Sequence, residues 1–250
     1  MNKLVICIPT YNEAISIVEL LDKLTKFRLE SPTPFDVVII DDNSPDRTAA
    51  IVDTLAISWV EIIRRPGKNG LGAAYRAAFA QVLQSDKYTH VVTMDADGSH
   101  RVEDLPAMFA SIKPGKSISL GTRWIPAGSV VNWPKSRQLL SKAGTKYAKF
   151  ALGLDLNDLT GGFRIYSLEL LRALRLSDMT ATGYCFQIEM AMAADLAGAV
   201  ASEVPITFVE RINGVSKMSK AIVIEALTQT TRWGLVRRLR PNADKLHYVK

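Results

Sequence analysis

The sequence predicts an α/β fold in which a mostly parallel central sheet is flanked by helices. Over the first half of the chain, strand-like and helical segments alternate at about 25 to 30 residues per unit, which is typical of such sheets. The strand segments are continuous apolar runs, as expected for parallel strands that are buried on both faces. The unusual polar residues directly follow the predicted strands, at the edge where α/β sheets bind ligands.

The first predicted elements are two strands, each followed by a helix. An apolar run at residues 4–9 predicts the first strand, and Asn12 predicts the cap of the helix that follows. Residues 35–40 predict the second strand, and Ser44 followed by Pro45 predicts the start of the second helix. Further strands are predicted at residues 59–63, 91–94, 117–120 and 204–209, and further helices at 73–83, 137–152, 183–196 and 221–233.

Three intervening segments have the composition of loops or turns. Residues 125–135 and the turn at 158–164 are predicted to be loops because they are rich in proline, glycine or polar residues. The loop at 64–72 is glycine-rich but has neither Walker A nor G-x-G-x-x-G spacing. Gly70 and Gly72 either admit backbone amides to a phosphate at a helix N-terminus or only serve a tight turn.

The chain length and composition predict one domain at residues 1–230, followed by a basic amphipathic tail at 231–250. No apolar run is long enough for a transmembrane helix, and the N-terminus leads directly into a strand, which is not the pattern of a signal peptide. Cys7 and Cys185 lie in apolar surroundings, which indicates buried thiols in a reducing compartment. We therefore expect a cytoplasmic protein.

Positive charge is concentrated in two regions. Residues 211–250 contain nine basic and two acidic residues, and residues 105–154 contain eight basic residues and no acidic one. Such regions suit phosphate groups, anionic lipid or nucleic acid. Lys142, Lys146 and Lys149 share one face of a predicted helix, which is either a solvated basic face or a membrane-surface face. A nucleic-acid partner is disfavoured because it leaves the carboxylates at the strand ends unexplained.

Two carboxylates follow the strand at residues 91–94. Asp95 and Asp97 point to the same side if strand geometry persists, so they need a compensating cation such as Mg²⁺ or Mn²⁺. Alone, this pair is more typical of a solvated acidic turn than of a metal site. Glu13, Asp42 and Arg123 at neighbouring strand ends favour a metal and diphosphate site. Basic residues could neutralise phosphate charge there: Arg123, Arg211 and Lys217.

No nucleophile–histidine arrangement is visible in the sequence. His90, His100 and His247 are scattered, and we interpret each as structural.

Six segments together resemble a known family: residues 9–13, 41–46, 95–100, 121–134, 158–164 and 204–217. They resemble the family-two inverting glycosyltransferases, within these the dolichol- or polyprenol-phosphate mannose synthases, and especially the actinobacterial polyprenol monophosphomannose synthases. The resemblance covers about residues 3–220 in order.

The resemblance implies a GT-A (Rossmann-like) fold. It implies transfer of mannose from GDP-mannose to a polyprenyl (dolichyl-type) monophosphate with inversion, giving polyprenyl-phosphate-mannose and GDP. The implied donor-binding residues are Pro9, Tyr11, Glu13, Ile40, Asp42, Asp95, Ala96, Asp97, Arg123, Arg211 and Lys217. The implied ligands of Mg²⁺ or Mn²⁺ are Asp95, Asp97 and Ser99. Arg123 and Arg137 are implied to bind the acceptor phosphate, and Asp97 and Arg123 to be catalytic.

Two expectations accompany this interpretation. An alternative activity is transfer of glucose or N-acetylglucosamine from a UDP-sugar to polyprenyl phosphate, because the Asp-x-Asp pair does not distinguish the donors. Since some relatives carry transmembrane helices that this sequence lacks, we expect peripheral attachment to the cytoplasmic face of a membrane, directly or through a separate membrane-anchor protein.

Overall fold

The computed structural model describes residues 3–210 and 220–250. Within these residues, seven strands form one mixed sheet in the order β3-β2-β1-β4-β7-β5-β8. The strands are β1 (Leu4–Thr10), β2 (Phe35–Asp41), β3 (Val60–Arg64), β4 (His90–Thr93), β5 (Ser117–Thr122), β7 (Arg164–Ser167) and β8 (Val200–Pro205). A separate parallel pair joins β6 (Ser129–Val131) to β9 (Thr207–Val209). The predicted α/β fold with a mostly parallel sheet is confirmed.

Helices cover both faces of the sheet. They are α1 (Ala14–Glu30), α2 (Thr48–Thr54), α3 (Leu71–Val82), α4 (Leu105–Ala110), α5 (Lys135–Leu152), α6 (Leu168–Ala173), α7 (Gly183–Leu196), α8 (Lys220–Leu239) and α9 (Pro241–Tyr248). One apolar cluster includes side chains of α1 and α4, and the other includes side chains of α3, α5, α7 and α8. The sheet contributes alternate side chains to each cluster, which is the layered arrangement of α/β folds.

The register of the sheet gathers the strand ends. β1 pairs in parallel with both β2 and β4, so that Thr10 is opposite Asp41 and Cys7 is opposite Thr93. Because the carboxyl ends of these strands share one edge, the residues after each strand lie side by side there. This places Tyr11, Asp42 and Asp95 at a common edge.

The predicted starts of the first two helices were wrong. Helix α1 begins after Glu13, and Asn12 has a left-handed backbone with φ of 60°. The Ser44 hydroxyl and N–H both donate to the Asp41 carboxylate instead of capping a helix, so Ser44 belongs to a turn. Helix α2 begins at Thr48, whose N–H donates to Asp46.

The sequence analysis also missed two strands. β7 lies antiparallel between β4 and β5, directly after the predicted turn at residues 158–164, where no strand was predicted. β6 lies within the predicted loop at residues 125–135, because it pairs with β9 far along the chain. The last predicted strand is divided into β8 and β9.

The C-terminal segment packs against the rest of the chain. The predicted boundary between residues 230 and 231 falls inside α8, which continues to Leu239. Trp233 and Tyr248 are buried, and Val249 forms a β-bridge with Leu174. Among residues 3–210 and 220–250, no helix has the length and apolar character required to cross a bilayer.

Candidate active site

The Asp-x-Asp segment forms a tight turn at the end of β4. The Asp95 N–H donates to His100 Nδ1 at 3.0 Å, and the Ser99 N–H donates to Asp97 Oδ1 at 3.1 Å. His100 is buried and stacks on Phe163, with ring centroids 4.9 Å apart. These contacts agree with the structural interpretation of His100, which is also an immediate neighbour of Asp95. The Ser99 hydroxyl is buried without a hydrogen-bond partner.

A cavity of about 370 Å³ whose lining includes several charged side chains opens on one side of this turn. Seven of the predicted donor-binding residues line it: Pro9, Tyr11, Glu13, Asp42, Asp95, Ala96 and Asp97. Ile40 is not among the lining residues, because its side chain is fully buried in the core. Arg211 and Lys217 lie outside the described residues. We call this space the donor cavity.

Asp42 is fixed at one side of the donor cavity. Its carboxylate accepts a hydrogen bond of 2.6 Å from Arg65, and both side chains are nearly buried. Burial raises the pKa of Asp42 above its usual value, and the adjacent Arg65 opposes this increase. The pair presents a rigid carboxylate whose remaining lone pairs can accept hydrogen bonds from a ligand.

Other residues of the donor cavity were not predicted from the sequence: Lys68, Leu71, Thr182, Gly183 and Glu225. The ammonium group of Lys68 lies 4.2 Å from the centroid of the Tyr11 ring. The segment at Thr182 approaches the glycine-rich loop so closely that a Cβ on Gly72 would lie 2.5 Å from the Ala181 carbonyl oxygen. This close packing accounts for Gly72, whereas Gly70 both packs against Thr182 and lines the cavity.

Arg123 forms a buried ion pair beyond the other side of the turn. Its Nε and Nη2 donate to the two oxygens of Asp158 at 2.6 and 2.7 Å, and Nη2 also donates to Thr160. Burial tends to raise the pKa of Asp158, but the attraction of Arg123 outweighs burial and holds that pKa below its usual value. The guanidinium also lies near the rings of Trp133 and Phe208, 5.2 and 5.3 Å from their centroids.

Arg137 joins this cluster from the first turn of α5. Its Nη1 donates to Glu210 at 2.6 Å, and its guanidinium carbon lies 4.0 Å from the centroid of the Trp133 ring. Its Nε is buried and has no hydrogen-bond partner. The structure thus brings together Arg123 and Arg137, which the resemblance assigned to one phosphate.

A second cavity, of about 350 Å³, lies between α5 and α8. Its walls are mainly apolar or small side chains: Leu140, Ala143, Gly144, Tyr147, Val223, Ala226, Leu227 and Thr230. Arg123, Arg137, Trp133 and Phe208 line it as well. We call this space the α5–α8 groove. The sequence analysis did not predict it, because its two walls are about 80 residues apart in the chain and no local pattern pairs them.

Asp95 lines both the donor cavity and the α5–α8 groove. A compartment lined by carboxylates and a compartment with apolar helix walls and an arginine pair therefore meet beside the Asp-x-Asp turn. A ligand in each would bring a polar head group from the donor cavity close to an anionic group held by the arginines.

Comparison with known proteins gives the family. The family model for glycosyl transferase family 2 matches residues 5–175. An undecaprenyl-phosphate mannosyltransferase from Micrococcus luteus is 44% identical over 234 residues, covering 92% of this chain and 93% of that protein. A polyprenol monophosphomannose synthase from Mycolicibacterium smegmatis is 40% identical over 242 residues, covering 95% of this chain and 89% of that protein.

Solved structures support the fold. Glucosyl-3-phosphoglycerate synthase from Mycobacterium tuberculosis, in complex with Mn²⁺, uridine diphosphate and glucosyl-3-phosphoglycerate, superposes with a TM-score of 0.64 at 17% identity over 95% of this chain and 80% of that one. Mannosyl-3-phosphoglycerate synthase from Rubrobacter xylanophilus gives a TM-score of 0.64 at 16% identity, over 97% of this chain and 75% of that one. These similarities confirm the predicted GT-A-type fold. By its family match and its two close relatives, the chain belongs to glycosyl transferase family 2 and is a glycosyltransferase.

Proposed function

We propose that this enzyme transfers mannose from GDP-mannose to a polyprenyl monophosphate with inversion, giving polyprenyl-phosphate-mannose and GDP. The names of the two relatives that are at least 40% identical support this activity. The observation that carries the proposal is the meeting of the donor cavity and the α5–α8 groove at Asp95. The carboxylate-lined donor cavity suits a nucleotide-sugar, and the α5–α8 groove with its arginine pair suits a lipid phosphate.

The donor cavity supplies groups for the nucleotide. Asp42 and Glu13 offer carboxylate oxygens that can accept hydrogen bonds from a base or ribose, and Tyr11 offers an aromatic face. Asp95, Ala96 and Asp97 are proposed to lie beside the ribose and diphosphate. Arg211 and Lys217 remain proposed contacts of the phosphates from outside the described residues.

The residues present fit a divalent cation. Among the described residues, no three His, Cys, Asp or Glu side chains come together as a metal site. Mg²⁺ and similar ions are commonly held by one or two carboxylates together with substrate phosphates and water, so Asp95 and Asp97 suffice. The Ser99 hydroxyl is buried without a hydrogen-bond partner next to Asp97, and although Ser99 lines neither cavity, we keep it as a proposed third ligand. When bound, Mg²⁺ or Mn²⁺ would neutralise the charge of the departing diphosphate.

The head of the α5–α8 groove suits the acceptor phosphate. Arg123 and Arg137 carry positive charge at the end of an apolar channel, while Asp158 and Glu210 hold their guanidinium groups in place. The apolar walls of α5 and α8 would cover the first isoprene units, because burial of hydrocarbon from water is favourable. This division of head and tail is why the groove favours a lipid phosphate over a small sugar acceptor.

The reaction needs little proton transfer from the protein. A phosphate monoester has a second pKa of about 6, so the acceptor is largely deprotonated near neutral pH and is its own nucleophile. Arg123 and Arg137 would orient an acceptor oxygen for in-line attack on the anomeric carbon, opposite the leaving diphosphate, which inverts the configuration. The contribution of the enzyme is then positioning and charge neutralisation. The structural role of His100 agrees with this, since no histidine base is required.

Peripheral membrane association follows from the acceptor. Large apolar side chains beside the groove are exposed: Leu139 by 71%, Leu140 by 43%, Ile224 by 60% and Leu227 by 44%. Lys142 and Lys146 are exposed on α5, so this surface combines apolar and basic side chains, as membrane-surface helices do. We propose that it contacts the cytoplasmic face of the membrane, directly or next to a separate membrane-anchor protein.

Donor competition tests the activity. Purified enzyme with Mg²⁺ or Mn²⁺ and a short polyprenyl phosphate is expected to form polyprenyl-phosphate-mannose from GDP-mannose, and much less product from UDP-glucose or UDP-N-acetylglucosamine. The anomeric configuration of the product, read by NMR, should be β. Efficient transfer from a UDP-sugar with none from GDP-mannose would refute the proposed donor, and an acceptor requirement other than a lipid phosphate would refute the proposed acceptor.

A further inference from the structure

Gln187 in α7 carries a buried amide that the fold does not use. Its residue exposure is 1%, and neither Nε2 nor Oε1 has a hydrogen-bond partner. The backbone carbonyl of Gln187 accepts a hydrogen bond of 2.6 Å from Arg164 Nη1. A buried amide without hydrogen-bond partners destabilises a fold. The presence of one here indicates that a bound ligand supplies the missing partners.

The amide faces a space that Gly162 keeps open. A Cβ on residue 162 would lie 3.5 Å from Gln187 Nε2, 3.6 Å from His100 Cε1 and 3.8 Å from Asp95 Oδ1. All three distances are ordinary contacts, so one further atom fits between these groups without displacing them. We call this space the Gly162 notch. Gly162 and Asp95 also line the α5–α8 groove, so the notch adjoins the point where the two cavities meet.

The chemistry of the notch selects its occupant. An amide offers both donor hydrogens and an acceptor oxygen, whichever way it is oriented, and an ionised Asp95 offers only acceptors. A hydroxyl group can donate to Asp95 and accept from Gln187, so it satisfies both. A deprotonated phosphate oxygen can accept from Gln187 but has no hydrogen to donate to Asp95, so it satisfies only one of the two groups. The notch therefore favours a neutral hydroxyl over an anion.

We infer that Gln187 is a donor-sugar-binding residue, whose amide hydrogen-bonds a hydroxyl of the transferred sugar in the Gly162 notch. This inference rests on the proposed function, since the sugar lies where the diphosphate side meets the acceptor side. It assigns to Gln187 a contribution to sugar recognition that is separate from nucleotide recognition by the donor cavity.

Calorimetric titration of GDP and GDP-mannose into the Mg²⁺-loaded enzyme tests this role. In the wild type, the sugar should add affinity beyond that of GDP. In Gln187→Leu, we expect GDP-mannose to bind about five- to tenfold more weakly, as for loss of a hydrogen bond, with GDP affinity unchanged. Gly162→Ala fills the notch with a methyl group and should give the same pattern. Gln81→Leu, at an exposed position of α3, is the matched control and should change neither affinity.

Thermal melting separates a binding role from a structural one. Gln187→Leu removes an unpaired buried amide, so its melting temperature should be equal to or above that of the wild type. Equal weakening of GDP and GDP-mannose, or a clear fall in melting temperature, would overturn the inference in favour of a structural role. Unchanged GDP-mannose affinity in both variants would also overturn it and leave the notch to a buried water.

A failure of the proposed donor would be visible separately. If the wild type binds UDP and UDP-glucose and neither guanosine ligand, GDP-mannose is the wrong donor. The same variants are then compared on the uridine pair, where a selective loss of UDP-glucose affinity supports the role of Gln187 and an equal loss overturns it.

Discussion

Replacing Asp158 by asparagine should destabilise the enzyme severely. The Asp158 carboxylate is fully buried and accepts hydrogen bonds from Arg123 Nε, Nη2 and N–H and from the Gly161 N–H. The substituted amide would keep the shape of the side chain but lose its charge and half of its acceptor capacity. The Arg123 guanidinium, only 5% exposed, would then be a buried cation without a counterion.

The expected size of this effect is large compared with the stability of a protein. Removing one partner of a buried ion pair costs about 3–5 kcal/mol of the free energy of unfolding. Single domains are stable by about 5–15 kcal/mol, so the variant would lose a large fraction of its stability. At about 2–4 °C per kcal/mol for a chain near this size, the melting temperature should fall by about 10 °C.

Urea unfolding at pH 7, followed by tryptophan fluorescence, measures the loss. Asp155→Asn is the control, because Asp155 is three residues away and pairs with Lys149 but is 97% exposed. We expect the control to unfold like the wild type. A loss of less than about 1 kcal/mol in Asp158→Asn would contradict the conclusion that this pair fixes the arginine. Transfer activity should fall as well, since Thr160 and Gly161 next to Asp158 line the groove.

The same pair predicts a pH dependence. The pKa of Asp158 is lower in the folded protein than in the unfolded chain, where the pKa of an aspartate carboxyl is about 4. The ionised form therefore stabilises the fold fully above about pH 4, and this stabilisation is lost as pH falls through the lower, folded-state pKa. The difference in stability between wild type and Asp158→Asn should be constant from neutral pH to about pH 5 and should narrow below about pH 4.

Three further changes probe the site and its surroundings. Asp97→Ala should abolish transfer and weaken Mn²⁺ binding, read by electron paramagnetic resonance, because a carboxylate ligand is lost. Tyr248→Phe should raise the KM for the donor several-fold with little effect on kcat. The Tyr248 hydroxyl donates to Glu189 at 3.2 Å, and Glu189 accepts a second hydrogen bond from the Ala181 N–H, beside the donor cavity. Loss of the hydroxyl would therefore loosen the segment that lines the cavity. The double change Leu139→Ser and Ile224→Ser should weaken flotation with anionic liposomes and leave turnover of a short, soluble acceptor nearly unchanged.

Each of these variants has a result that would count against it, and two of them have a matched control. Asp22→Ala, on the exposed face of α1, should retain activity; normal turnover in Asp97→Ala would refute its place at the metal. Kinetics of Tyr248→Phe identical to wild type would exclude coupling through Glu189. Leu29→Ser removes a side chain that is 84% exposed on α1 and should leave liposome binding intact. A similar loss of liposome binding in Leu29→Ser would mean that the surface beside the groove has no special role in membrane contact.

Local patterns were sufficient to predict the parallel half of the fold. The apolar runs at β1 and β2 and the polar residues after them fixed the edge at which Asp42 and Asp95 meet, because parallel strand ends must share one side of a sheet. These features depend only on short segments and on a general rule of topology. The resemblance supplied the remaining site residues, and the structure brings most of those within the described residues to the two cavities.

The features that sequence reasoning missed depend on distant contacts. β7 begins with Arg164, whose fully buried side chain donates to the carbonyls of Leu159, Gly161 and Gln187. A charged residue at this position is typical of a loop in sequence, so it concealed the start of the strand. The α5–α8 groove likewise exists only where two distant helices meet. Neither arrangement leaves a periodic signal in the chain.

The crossing of α5 and α8 limits the length of the groove. A Cβ on Gly234 would lie 2.6 Å from the Ala151 carbonyl oxygen, so the helices touch there, and the Tyr147 hydroxyl bonds to Thr231 just before this point. The lining residues Leu140 to Tyr147 span only about 11 Å of helix. A polyprenyl chain of many isoprene units must leave the groove before this crossing and continue into the bilayer. Selectivity for the acceptor would then be confined to the units next to the phosphate, and lipids of different length would be equivalent substrates.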